Sequence, residues 1–322
     1  LDGNSDNLIP QLRSGDARSL ARAISMIENH APGWIRLLKE LFPHTGHTRT
    51  IGLTGAPGAG KSTLVNQLAV RYRAEGRSVG IIAVDPTSPY SGGAILGDRI
   101  RMQQHSSDPG IYVRSMATRG ALGGLARTTP DVALVLDAAG FDVVMIETVG
   151  VGQDEIDIVR VADITVVILV PGMGDDVQTI KAGIMEIADI FVINKSDRDG
   201  AERVEKEIRA LQSLALRSDS WTPPVVKTVA TEARGIAELE YAIQAYEAHL
   251  AENNLLAQKR VRHWESRLLE MLRDELLQRA RATISEAELS RLAEEIAGHK
   301  RDPYSVVEQI VTRIAKPSGK SH

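Results

Sequence analysis

The chain reads as an α/β protein: a mostly parallel sheet flanked by helices, preceded by short N-terminal helices and followed by a C-terminal helical extension. Two observations predict this. From Arg49 to Val229, short β-branched runs alternate with helical stretches, an order that a parallel sheet covered on both faces accommodates most simply. Beyond Glu232 the runs stop, and apolar residues recur at helical spacing as far as Ala315.

Between residues 15 and 42, Leu20, Ala23, Ile24 and Ile27, then Ile35, Leu37, Leu38 and Leu41, predict two short helices separated at Pro32 and Gly33. Candidate buried strands are Thr50–Thr54, Ser78–Val84, Phe141–Glu147, Ile164–Val170, Ile190–Asn194 and Val225–Val229. Helices are expected at Ser62–Glu75, Asp98–Ser106, Pro130–Ala139, Thr179–Ala188 and Ala201–Leu216. The tail predicts three or four helices, with breaks at Asn253-Asn254, before Ser285 and at Asp302-Pro303, and an apolar stripe of Trp264, Leu268, Leu269, Leu272 and Leu276. Ser285 with Glu288 fits a capping box, and the polar Lys316–His322 end reads as disordered. The expected organisation is an N-terminal helical segment (1–47), a nucleotide-binding domain (48–250) and a helical arm (251–322). Such an arm either folds back on the core or pairs with a second copy.

At about 150 residues per domain, 322 residues allow two domains or one core with additions. The 43% hydrophobic and 25% charged content excludes a disordered chain. With no cysteine, a disulfide scaffold, a thiolate metal site and a cysteine nucleophile are all excluded. A net charge of −4 offers no global attraction to nucleic acid or anionic lipid. The apolar run Ile164–Val170 is far short of the roughly 20 residues that span a bilayer. No secretory signal is visible, and a cytoplasmic location is expected, although a chain beginning with Leu1 is compatible with a removed targeting peptide. The histidines lack metal-ligand spacing apart from His44-x-x-His47, which reads as a solvated loop pair.

Gly55-Ala56-Pro57-Gly58-Ala59-Gly60-Lys61-Ser62 matches the P-loop pattern and lies between a predicted strand and a predicted helix, where the motif belongs. Glycines there let backbone N–H groups turn around phosphate oxygens, and the new helix adds the positive end of its dipole. Lys61 is expected to reach the β- and γ-phosphates, Ser62 to bind Mg²⁺, and Thr63 to join the nucleotide-binding turn. Asn194-Lys195-Ser196-Asp197 follows a predicted strand, and the Asp197 carboxylate can accept from guanine N1–H and the exocyclic amine, which adenine does not match. GTP is therefore expected over ATP.

Asp85 and Glu147 each end a predicted strand, and Asp98 lies in a glycine-containing loop; all three are candidates for the metal side of the phosphates. The alternative for each is a solvated carboxylate or a helix cap. Gly150 can donate its N–H to a γ-phosphate. Gly92-Gly93 and Gly172-Met173-Gly174-Asp175-Asp176 are candidate switches, and Lys181 either reaches nucleotide or partner or is solvated. The segment holding Arg114, Arg119 and Thr128 has no assignable role from physics alone, and Gln153 is a candidate for positioning water. Slow intrinsic hydrolysis stimulated by a partner is the corresponding expectation.

Together with Val84-Asp85-Pro86-Thr87-Ser88, Gly92-Gly93-Ala94-Ile95-Leu96-Gly97-Asp98 and Glu147-Thr148-Val149-Gly150-Val151-Gly152-Gln153, these motifs resemble the MeaB/ArgK family of GTPases, from about Leu8 to Glu265. The resemblance implies a Mg²⁺- and GTP-dependent chaperone of an adenosylcobalamin-dependent acyl-CoA mutase of the methylmalonyl-CoA type. Such a chaperone gates cofactor loading and protects the mutase. GTP or GDP would be the bound nucleotide, with Lys61, Ser62, Asp85, Asp98 and Glu147 around phosphates and metal. Gly172–Lys181 would be an additional switch loop, Thr228-Val229-Ala230 would lie under the guanine, and helical extensions would make a homodimer. Met173 and Asp176 depart from the family pattern, which bears on partner choice. Two other readings remain: a protein kinase of the ArgK type and a metallochaperone, the latter opposed by the missing thiolates.

Overall fold

The computed structural model describes residues 8–85, 87, 108–118, 125–149, 157–172, 185–213 and 220–315. Helices α1 (Leu8–Arg13), α2 (Ala17–Glu28) and α3 (Trp34–Leu41) lead into β1 (Arg49–Gly55), α4 (Lys61–Ala74), β2 (Val79–Asp85) and β3 (Ile111–Ala117). Next come α5 (Thr129–Ala138), β4 (Val143–Glu147), β5 (Ile164–Leu169), a single turn α6 (Met185–Ile187), β6 (Ile190–Asn194), α7 (Ala201–Gln212) and β7 (Val225–Thr228). Four helices close the described chain: α8 (Ile236–Glu252), α9 (Leu255–Thr283), α10 (Glu286–Ala297) and α11 (Pro303–Ala315).

The seven strands form one all-parallel sheet in the order β3-β2-β4-β1-β5-β6-β7. Strand alternation divides the core, because successive side chains leave opposite faces of a pleated strand. Ile51, Leu53, Met145, Val166, Ile168 and Val192 meet Leu64, Leu68 and Tyr72 of α4 and Leu239, Ile243 and Tyr246 of α8. Ile82, Val84, Val144 and Ile146 meet α1, α2, α3 and α5, while Val167, Leu169, Phe191 and Ile193 meet α7. The N-terminal helices thus complete one face of the sheet. Asp16 caps α2 by accepting the Ser19 N–H at 2.7 Å, and hydrogen bonding from the side chain and backbone of Ser19 holds the Asp16 carboxyl below its ordinary pKa.

Two elements differ from the sequence reading. Helix α1 adds a third leading helix, packed through Leu8 and Leu12. Strand β3 was not expected because Arg114 and Ser115 interrupt its apolar pattern; as an edge strand it is mostly half-buried and need not be apolar on both faces. Arg114 donates to Ser25 Oγ (3.2 Å) and pairs with Glu28, so it ties the edge strand to α2. Thr128 takes the N-cap position of α5 without a side-chain cap bond. The predicted helix Asp98–Ser106 and the Lys316–His322 end lie outside the described residues, as does much of Thr179–Ala188.

At the N-terminal edge of the sheet, an aspartate stands immediately before each of three strands. Asp142, before β4, accepts the Ser78 N–H and hydroxyl, both at 2.7 Å, and these bonds lower its pKa. Asp163, before β5, accepts Thr50 N–H at 3.1 Å, and Asp189, before β6, accepts Thr165 N–H at 2.8 Å. Both are buried and paired with the first turns of α9: Arg260 grips Asp163 through Nε (3.1 Å) and Nη2 (3.0 Å), and Lys259 Nζ reaches Asp189 at 2.8 Å. The Asp163 carboxylate raises the Arg260 pKa. His44 and His47 line a surface cavity with Arg13, Asp137 and Asp142, whose carboxylates accept Gly46, His47, Thr48 and Ser78 N–H groups.

The chain divides into two compact units, one ending at Arg260 and one beginning at Val261. In the second unit, Ser285 Oγ caps α10 by accepting Glu288 N–H at 3.2 Å. Only half of the expected capping box forms, because the Glu288 carboxylate instead pairs with Arg313 at 2.8 and 3.1 Å, which lowers its pKa. Leu268, Leu269, Leu272 and Leu276 are exposed. No helix among the described residues is long and apolar enough to cross a membrane.

Candidate active site

Because every strand is parallel, the carboxyl ends of β1, β2, β4, β6 and β7 share one edge of the sheet. Central β1 lies between β4 and β5, where successive connections run to opposite sides, the usual position of a ligand crevice. Loop 55–60 leaves β1 and opens α4 at Lys61. Gly60 has φ +90°, and a Cβ there would stand 2.3 Å from Asn194 Nδ2, so both conformation and space demand glycine. Ala59 is buried, whereas Pro57 and Gly58 are exposed at the tip. The N–H groups of the first turn of α4, around Lys61, Ser62 and Thr63, have no intrahelical acceptor and form an anion-binding end.

Lys61 is buried and donates from Nζ to the carbonyls of Gly55 (2.7 Å) and Ala56 (3.0 Å), which keeps its charge inside the loop. Ser62 Oγ donates to Glu147 Oε1 at 2.6 Å, and Glu147 is also buried. The structure therefore brings the P-loop serine and the acid ending β4 into direct contact. Asp85 ends β2, half-buried, and its carbonyl accepts Thr118 N–H. Asp98, Gly150, Gln153 and Lys181 lie outside the described residues, as do Gly92-Gly93, Arg119, Met173 and Asp176. Among the described residues, no three acidic, histidine or cysteine side chains gather as a protein-only metal site. Ser62 and Glu147 do fit Mg²⁺, a hard cation that takes one or two protein oxygens and fills its shell from phosphates and water.

On the base side, Asn194 is buried and its side chain makes three hydrogen bonds. Its Nδ2 donates to Ala59 O (2.8 Å), while Oδ1 accepts from Thr228 Oγ1 (3.0 Å) and Ala230 N–H (3.1 Å). One side chain thus braces the P-loop against the turn Thr228-Val229-Ala230. Lys195, at φ +54°, donates from Nζ to Gly58 O at 2.7 Å and adds a second brace. A non-glycine residue held at positive φ stores backbone strain of the kind that gathers at functional sites. The Asp197 carboxylate is exposed and makes no hydrogen bond or ion pair among the described residues, which keeps its acceptor capacity for a base edge. Val229 and Ala230 are buried, with Val229 bridged to Arg234.

A family model described as methylmalonyl Co-A mutase-associated GTPase MeaB matches residues 20–285. The chain belongs to the MeaB family. It is a GTPase, a P-loop hydrolase that binds guanine nucleotide. Among its relatives, a GTPase of Pyrococcus abyssi is 47% identical over 312 residues, covering 96% of each chain. GTPase ArgK of Escherichia coli is 39% identical over 260 residues, covering 78% of each. The crystal structure of an LAO/AO transport system kinase superposes with a TM-score of 0.72 at 29% identity, covering 97% of this chain and 99% of that one. Sequence reasoning about this MeaB-family chain missed the cross-brace from Asn194 to Ala59 and the hydroxyl contact between Thr54 and Thr148. Both join residues far apart in sequence, and neither carries a local signal.

Proposed function

We propose that this GTPase serves as a chaperone of an adenosylcobalamin-dependent acyl-CoA mutase of the methylmalonyl-CoA type, gating cofactor loading and protecting the mutase. The observation that carries the guanine-nucleotide part is the double brace by which Asn194 and Lys195 hold the base-side turns against the P-loop. The mutase part draws its support from the family description. In this reading Lys61 leaves its loop carbonyls for the β- and γ-phosphates, and Gly55, Pro57, Gly58, Ala59, Gly60 and Thr63 line the phosphate path. Asn194, Lys195, Asp197, Val229 and Ala230 take the guanine, and Gly150 and Lys181 act at the γ-phosphate. Ser62, Asp85, Asp98 and Glu147 would hold Mg²⁺, which supplies charge neutralisation of the β- and γ-oxygens.

Residues 1–47 and 48–250 read as helical cover and GTPase domain, and 251–322 as a dimerisation arm. Support for the arm is its exposed apolar stripe, Leu268, Leu269, Leu272 and Leu276, which monomers seldom leave in water. The protein would share the cytoplasm with its mutase. Asp197→Asn tests the base assignment: GTP affinity should fall by about 10²-fold or more while xanthosine triphosphate gains, because an amide mismatches both guanine donors. Purified mutase tests the partner. Its cofactor loading and inactivation rate should respond to this chain with GTP but not without it. Stoichiometric transfer of labelled phosphate to a protein, with no inorganic phosphate released, would establish the kinase reading instead.

A further inference from the structure

We propose that the hydroxyl bridge between Thr54 and Thr148 is a positioning pair for GTP hydrolysis, acting through Glu147. Thr54 Oγ1 and Thr148 Oγ1 lie 3.0 Å apart, and both residues are fully buried. On the face of the sheet that carries the two hydroxyls, β4 presents the buried Val144 and Ile146, and β1 presents Gly52. Packing alone would be served by valines, since a buried hydroxyl is costly unless it is hydrogen-bonded. The bridge sits where both strands hand over to the site. Thr54 precedes Gly55, whose carbonyl accepts Lys61 Nζ, and Thr148 follows Glu147, whose carboxylate accepts Ser62 Oγ.

Thr148 N–H also donates to Leu53 O at 3.1 Å, which extends the pairing of Leu53 with Glu147 by one residue. Main chain and side chain together clamp the exit of β4 to the root of the P-loop. The clamp fixes the Glu147 backbone from the opposite face of the sheet, since residues 147 and 148 point to opposite sides. Losing the hydroxyl leaves Thr148 tied to β1 through its backbone bond to Leu53, and a carboxylate displaced by a fraction of an ångström loses part of its effect on the transition state.

The inference rests on reading Glu147 as the acid of the site, and the experiment separates the two. Steady-state GTP hydrolysis, GDP affinity by calorimetry and the thermal midpoint are measured for T148V, T148S, T54V/T148V and E147Q. T148V should lower kcat by about tenfold, the worth of one buried hydrogen bond, with GDP affinity held within about twofold. T148S, which keeps the hydroxyl, should restore most of kcat. T54V/T148V leaves no hydroxyl unpaired, so its thermal midpoint should return toward wild type while kcat stays low. The proposal is overturned by a wild-type kcat in T148V, by a kcat that recovers with the midpoint in the double variant, or by GDP affinity falling in step with kcat. Full hydrolysis by E147Q would instead overturn the assignment of Glu147; an inactive E147Q beside an unimpaired T148V sinks the bridge alone.

Discussion

The two edges of the sheet use charged and polar groups in opposite ways. At the amino edge, Asp142, Asp163 and Asp189 spend their carboxylates on the N–H groups that begin neighbouring strands, and Arg260 and Lys259 neutralise the two buried ones. At the carboxyl edge, Lys61 donates to carbonyls of its own loop, Lys195 sits at positive φ, and Asp197 points its carboxylate to solvent. One edge holds the strands in register, and the other keeps donors and acceptors within reach of a nucleotide. Burial of charge alone therefore does not mark a site. Asp163 is as buried as Glu147, yet it faces strand starts and an arginine, whereas Glu147 faces the P-loop serine.

Lys61→Ala should separate the edges most widely. Removing a donor aimed at developing phosphate charge should lower kcat/KM for GTP by on the order of 10²- to 10³-fold, measured by phosphate release. Asp163→Asn should do the reverse. It leaves the Arg260 guanidinium without its counter-charge and should cost about 2 kcal/mol, below the figure for a fully buried pair because Arg260 is partly solvated. Denaturant titration would show that loss, with GTP turnover at low temperature unchanged; impaired turnover in a folded variant would blur the division between the edges.

The smallest effect is expected at Asp142. The Ser78 N–H and hydroxyl hold its folded pKa below the ordinary 3.8, so its contribution is complete above that value and disappears as pH falls through the lowered pKa. Ser78→Ala, which removes the hydroxyl bond, should be less stable than wild type by a constant margin from neutral pH to about pH 4, and the margin should close below it. A margin that grows on acidification would place the pair on the wrong side of this linkage.

Much of the fold was legible because parallel strands buried on both faces read as apolar runs: Ile190–Asn194 is recovered residue for residue, and the breaks at Asn253-Asn254 and Ser285 separate real helices. Strand β3 was not legible, since an edge strand anchored by the Arg114–Glu28 pair has no need of an apolar run. The P-loop was legible because its backbone path requires glycine at Gly58 and Gly60, a local demand that leaves a local mark.

Local chemistry therefore determined from sequence alone which residues open the phosphate loop, which turn follows β6, and that helices flank a parallel sheet. Tertiary structure decided what those residues touch. Asn194 meets Ala59 across a separation of 135 residues, Thr54 meets Thr148 across 94, and Arg260 meets Asp163 across 97. The physical reason is that spacing along a chain encodes the period of a helix or strand, whereas a contact between strands depends on the order in which the sheet assembles them.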